Sequence, residues 1–94
     1  MSETSDANPP SLILFVYGTS PRSLAAITNA QKVAEQVGAS THLKIIDAQQ
    51  QPELLEHHDI LALPTLLRDS PTPVIQFVGD LSDLNAVRAA LHDS

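Results

Sequence analysis

Three groups of side chains in this sequence are of types that do chemistry. The first is His57-His58, with His42 and His92 elsewhere in the chain. Imidazole binds metals, but neighbouring residues on a helix point about 100° apart, so an adjacent pair rarely chelates one ion. His42 and His92 stand at no ligand spacing from the pair, which favours solvated histidines. The second group is Asp80 with Asp83, which has the form of a carboxylate pair for acid–base work. Asp and Ser at the start of an apolar-periodic run more commonly cap a helix by accepting its free N–H groups. The third group is Tyr17, Ser20 and Ser23, hydroxyls gathered at a helix start. A hydroxyl nucleophile needs a base to take its proton, and none is recognisable in a suitable place. The sequence therefore assigns no catalytic residue, no metal ligand and no cofactor. Cysteine is absent altogether, which excludes disulfides, thiolate nucleophiles and thiolate metal sites, and fits a reducing compartment.

The elements that must position these groups are constrained by composition. A chain of 94 residues fits one domain, with a modest core and marginal stability. Hydrophobic residues make up 43% and aromatics only 3%, so the chain folds around an aliphatic core. A formal charge of −6 argues against nucleic acid and anionic membranes, both of which are bound through Lys and Arg. A basic protein partner is compatible with that charge, although solubility is the commoner reason for it. No apolar run approaches the roughly 20 residues of a membrane span. Residues 1–10 are polar, acidic and proline-terminated, which predicts a disordered tail rather than a secretory signal. The expected domain is 11–94 and the expected location the cytoplasm.

Leu12 to Tyr17 is a continuous apolar run stopped by Gly18, predicting a strand buried on both faces. Ser20-Pro21 opens a helix as N-cap and first helical residue. Its apolar face is expected to be Leu24, Ile27, Ala30, Ala34 and Val37, and Gly38 closes it in a left-handed cap. Thr41 to Asp47 predicts a second strand and Pro52 to His58 a short helix. A third strand begins after Ile60 to Leu63, at Pro64. Pro71 and Pro73 bracket a turn into a fourth strand, Val74 to Val78. After Gly79-Asp80, the stripe Leu81, Leu84, Val87, Ala90, Leu91 predicts a last helix capped by Asp80 or Ser82. The result is an α/β fold of order βαβαββα, with a parallel first pair of strands and a terminal hairpin.

Two places are similar to thioredoxin-fold sequences. Leu63-Pro64-Thr65-Leu66 resembles the Pro-Thr-Leu setting of the thioredoxin cis-proline. An isolated X–Pro bond is normally trans, whereas this setting points to cis. Gly18-Thr19-Ser20-Pro21-Arg22 stands where thioredoxins carry Cys-x-Pro-Cys at a helix N-terminus. The two cysteine positions fall on Thr19 and Arg22, and a hydroxyl and a guanidinium form no disulfide. Thioredoxin redox chemistry is excluded on those grounds.

A narrower resemblance covers residues 12 to about 91. Its signatures are Leu14-Phe15-Val16-Tyr17-Gly18-Thr19-Ser20-Pro21-Arg22-Ser23, then Ile46-Asp47, Gln51-Pro52-Glu53-Leu54 and Ile60-Leu61-Ala62-Leu63-Pro64-Thr65-Leu66. Pro71-Thr72-Pro73 and Gly79-Asp80-Leu81-Ser82 follow in the same order and spacing. Together they resemble the KaiB family of the cyanobacterial circadian clock. The resemblance implies a non-enzymatic protein that binds the KaiC ATPase ring, competes there with the sensor domain of the kinase SasA, and helps sequester KaiA. It also implies a metamorphic chain, whose tetrameric resting form rearranges its C-terminal half into a thioredoxin-like monomer. The sequence departs from the family at Tyr17, where Ala is usual, at Asp59, where Lys or Arg is usual, and at Ile75-Gln76, where a basic pair is usual. The family's acidic tail after the last helix is expected to be missing here. These departures suit a divergent member.

By the same resemblance the partner surface includes the strand after the first helix and the switched C-terminal half. That directs attention to Lys44, Asp47, Leu66 and Arg68 as partner-binding residues. Arg22 and Arg68 are expected to be exposed charges, either simply solvated or paired with an acidic partner. Pro64, Pro71, Pro73, Gly79 and Asp80 are the hinge candidates, glycine because it tolerates the backbone change. Proline isomerisation at such a hinge takes tens of seconds or longer. The chain is expected to rest as a thioredoxin-like monomer, with the tetramer as alternative. Two other readings stand beside this one: a binding module resembling the SasA sensor domain with a different protein partner, and a cysteine-free enzyme using glutathione.

Overall fold

Ser11–Val16 forms the first strand, β1, and all its residues after Ser11 are buried. A strand apolar on both faces must lie inside a sheet with cover on each side. In the computed structural model, which describes residues 10–93, β1 lies between a parallel β2, Leu43–Asp47, and an antiparallel β3, Thr65–Ser70. A fourth strand, β4, Ile75–Val78, pairs antiparallel with β3, so the order is β2-β1-β3-β4. The helices are α1, Pro21–Gln36, α2, Glu53–His57, and α3, Leu84–Asp93. This is the predicted βαβαββα order. The tail expected over residues 1–10 lies, except for Pro10, outside the described residues.

Alternation along β1 sorts the core into two layers. Leu12, Leu14 and Val16 pack with Leu66, Ala26, Ala30, Val33, Val87 and Leu91 beneath α1 and α3. Ile13 and Phe15 pack with Leu67, Ile46 and Ile60, and Leu54 and Leu55 of α2 cover them. Both layers are aliphatic apart from Phe15 and the partly buried Phe77.

The first helix is rotated from its expected phase. Leu24 is 50% exposed, and the buried face is Ser23, Ala26, Ala30, Val33 and Ala34. Ser23 sets the rotation: its hydroxyl accepts the Tyr17 N–H at 3.0 Å and donates to the Tyr17 carbonyl at 3.3 Å. The alanines then let the helix approach the sheet closely. Its ends are as predicted. Ser20 Oγ accepts the Ser23 N–H, and Gly38, at φ +73°, closes the helix. Gly38 N–H bonds to Glu35 O and Ala39 N–H to Ala34 O, the paired bonds of a Schellman motif.

The last helix starts later than expected, and its cap is neither Asp80 nor Ser82. Leu81 is held at φ +65° outside the helix, although its side chain is buried. Asp83 is the cap: its Oδ1 accepts the Ala86 N–H at 3.2 Å, and its carbonyl accepts the Val87 N–H. Asp80 instead closes a tight turn through the Ser82 N–H. The Leu63–Pro64 peptide is cis, as its setting suggested, and Ser70–Pro71 and Thr72–Pro73 are cis as well.

The cap assignment is testable by urea unfolding. Asp83→Ala is expected to lower the unfolding free energy by about 1 kcal/mol, while Ser82→Ala, an exposed side chain, stays within roughly 0.5 kcal/mol of the parent.

Candidate docking surface

The turn after β1 is built from side-chain bonds to backbone. Asp47, at the end of β2, accepts the Gly18 N–H at 3.0 Å and the Gln49 N–H at 2.9 Å through one carboxylate oxygen. It thereby ties the turn before α1 to the loop before α2. Gly18 sits at φ +62°, and a Cβ there would meet the Gln49 amide oxygen at 2.8 Å. Ser20 and Ser23 hydroxyls bond to each other at 3.0 Å. With their backbone partners counted, both hydroxyls serve the helix start. Thr19 and Arg22, which the thioredoxin resemblance sets against its two cysteines, carry a hydroxyl and a guanidinium.

His57 and His58 meet edge to face, with centroids 4.9 Å apart, and His58 also tilts against buried Phe15. The pair is packing at the end of α2. Among the described residues no group of three or more His, Asp or Glu converges as a metal cage would require.

Of the four residues expected to bind a partner, two are accessible. Lys44 is exposed on β2, an edge strand, beside Ile45, which is 40% exposed. Asp47 is half-buried, with one oxygen committed to the turn. Leu66 and Arg68 are fully buried, which corrects the expectation of an exposed Arg68. The cause is topological. β3 is an interior strand, and Leu66 lies in the layer that α1 and α3 cover, with Arg68 at the same parity along the strand. The Arg68 guanidinium donates from Nη2 to the Pro73 carbonyl, and its Nε and Nη1 have no hydrogen-bond partner among the described residues. Sequence reasoning missed Ile45. Its signal was the unbroken Ile45-Ile46 pair, since on an edge strand one of two successive apolar residues faces outward.

The hinge candidates divide between the two ends of the sheet. Pro64 and Gly79 are bonded together, the Gly79 N–H to the Pro64 carbonyl at 2.8 Å. Asp80 is tied to α1 by Asn29 Nδ2, which donates to its carbonyl at 2.8 Å. Gly79 has φ +114°, which a side chain rarely adopts. Gly79 and Asp80 also line a cavity of about 350 Å³ with Arg22, Phe77 and Val87. Pro71 and Pro73 occupy the β3–β4 turn at the opposite end. No helix of the described residues is long and apolar enough to cross a membrane.

Comparison with solved structures defines the class. The N-terminal domain of SasA from Synechococcus elongatus superposes with a TM-score of 0.70 at 27% identity, over 93% of this chain and 87% of that one. Mitochondrial thioredoxin 3 from Saccharomyces cerevisiae gives 0.67 at 16% identity, over 93% and 80%. The molecule is a thioredoxin-like module without thioredoxin's cysteines. The KaiB domain model matches residues 13–92. The circadian clock oscillator proteins KaiB of Prochlorococcus marinus and Trichodesmium erythraeum are each 40% identical over 81 residues, which is 85% of this chain and 77% and 78% of theirs. The chain belongs to the KaiB family.

Two substitutions test the interior bonding. Asp47→Ala removes the acceptor of the Gly18 and Gln49 N–H groups and is expected to cost about 1 kcal/mol in urea unfolding. Arg68→Met removes a buried, half-bonded cation while keeping its volume. It is expected to raise the thermal midpoint, because replacing buried charge by packed apolar atoms is commonly stabilising by about 1–4 kcal/mol.

Proposed function

We propose that this chain is a non-enzymatic clock regulator that binds a KaiC-type ATPase ring and competes there with a SasA-type kinase sensor. One pairing of observations carries the reading. The chain is a KaiB-family member by sequence, and its described residues take the shape of the SasA N-terminal domain. Two proteins of one shape compete for a surface that recognises that shape. The chemistry agrees: the hydroxyls at the helix start are committed to backbone, and no cysteine is present. Docking rather than turnover is what such a site supports.

The contact is assigned to the β2 edge. Among the described residues no strand pairs with the outer side of β2; such an edge offers backbone groups to an added strand, and Lys44 and Ile45 flank them with a charge and an apolar side chain. Asp47 holds the adjoining turns, and Leu66 and Arg68 support the sheet from within. The thioredoxin-like state is the resting state in this reading, monomeric when dilute and cytoplasmic, with KaiA as a further partner once the ring is engaged. The departures at Tyr17, Asp59, Ile75 and Gln76 favour a second reading, a module of the same shape serving another protein partner.

Size-exclusion chromatography with light scattering, alone and with a KaiC-type hexamer and ATP, separates these. The chain is expected to join the hexamer peak, to be displaced by a SasA-type sensor domain, and to bind several-fold more weakly as Lys44→Glu. A chain that ignores the ring under every nucleotide condition sinks the ring-partner reading. Backbone chemical shifts with residues 50–67 helical and the last segment extended would sink the resting state.

A further inference from the structure

The cavity of about 350 Å³ beside Gly79 and Asp80 draws its walls from three elements. Arg22 comes from the first turn of α1, Phe77 from β4, and Ala86 and Val87 from the start of α3. The loop that joins β4 to α3 closes one side, held to α1 by the bond from Asn29 to the Asp80 carbonyl. The floor is apolar, since Leu81 and Val87 are buried and Phe77 is half-buried. The charges around that floor are of both signs. Arg22 has no ion-pair partner among the described residues. Its guanidinium reaches over Gly79, where a Cβ would stand 3.8 Å from Nη2. Asp80 and Asp83 each commit one carboxylate oxygen to a backbone N–H, of Ser82 and of Ala86. The other oxygen of each has no hydrogen bond among the described residues. One cation and two half-free carboxylates thus line one small cavity without pairing with each other.

We propose that this cavity binds a free α-amino acid with an apolar side chain. Charge selects that class. A simple anion meets Arg22 but also two carboxylates and a chain of −6. A simple cation meets the carboxylates but also the guanidinium. An α-amino acid carries its carboxylate and ammonium on one carbon, is neutral overall and satisfies both signs. Its carboxylate pairs with Arg22, and its ammonium with the open oxygens of Asp80 and Asp83. The side chain then rests on Phe77, Leu81 and Val87.

Size narrows the ligand further. The volume stands at the lower end of the roughly 300–1,000 Å³ of small-molecule sites, which suits one amino acid rather than a folded peptide. The γ-glutamyl end of glutathione bears the same head group, but no apolar side chain to cover the floor. Occupancy also has a structural consequence. The ligand touches α1, β4 and α3 at once, so it binds this arrangement of the three elements and stabilises it by mass action.

Titration of the whole chain with L-leucine, followed by backbone amide NMR, tests this without any clock protein. Shifts are expected at Arg22, across residues 77–83 and at Ala86 and Val87. They saturate with a dissociation constant on the order of millimolar, as suits so small a ligand. Leucinamide lacks the carboxylate and isocaproate lacks the ammonium. Each is expected to bind about ten-fold more weakly, the loss of one charge-assisted bond. Glutathione is also weaker than leucine. Arg22→Gln, at an exposed position, weakens leucine by a similar factor. So does Asp80→Asn, which keeps an oxygen for the Ser82 N–H. Ala86→Leu fills the cavity from an exposed helix position and abolishes binding, with circular dichroism unchanged. The absence of saturating shifts with leucine overturns the proposal. So does leucinamide, isocaproate or glutathione matching leucine, or leucine binding that Arg22→Gln and Asp80→Asn leave intact.

Discussion

With Leu12, Leu14 and Val16 facing one side of β1 and Ile13 and Phe15 the other, this strand needs cover above, cover below and a neighbour on each edge. The remaining elements meet those needs in turn. β2 and β3 take the edges, α1 and α3 lie over one face, and α2 covers the other. Placing β1 at the centre also pushes β3 inside and leaves β2 and β4 as rims. The surfaces open to another chain are thus a consequence of where the most apolar run had to go.

Burying β3 has a cost in charge. Arg68 lies in the interior with one carbonyl partner and two N–H groups unmet, and such groups are destabilising in a low-dielectric core. The turn that supplies the carbonyl contains Pro73, in the C-terminal half of the chain. Among the described residues, that half therefore carries the buried charge.

Features written in short-range chemistry were legible in the sequence. The β1 run, the Ser20-Pro21 helix start, the Gly38 cap and the hairpin each depend on residues within a few positions of one another, and all appear where expected. The departures arise from bonds the sequence does not display. The rotation of α1 depends on Ser23 reaching back to Tyr17, and the α3 cap on the positive φ of Leu81. Asp47 reads as a partner-binding residue, yet one of its oxygens serves Gly18, 29 positions away. Arg68 read as surface because arginine is rarely fully buried, and only the strand order reveals otherwise. The exposed edge at Lys44 and Ile45 was half legible, since charge marked Lys44, whereas the Ile45-Ile46 pair marks an outward side chain only once the strand order puts β2 at the edge.

The chain keeps the thioredoxin outline and has lost its sulfur. Thioredoxins use the turn after the first strand to exchange electrons, so the condition of that turn tracks the reductant supply around them. Here the same turn is closed by serine hydroxyls, a glycine and an aspartate, none of which changes oxidation state under those conditions. A protein built this way presents the same face to its surroundings whether they are reducing or oxidising. Its shape is insulated from metabolic swings in reducing power, and that steadiness suits a component whose information lies in when it is bound.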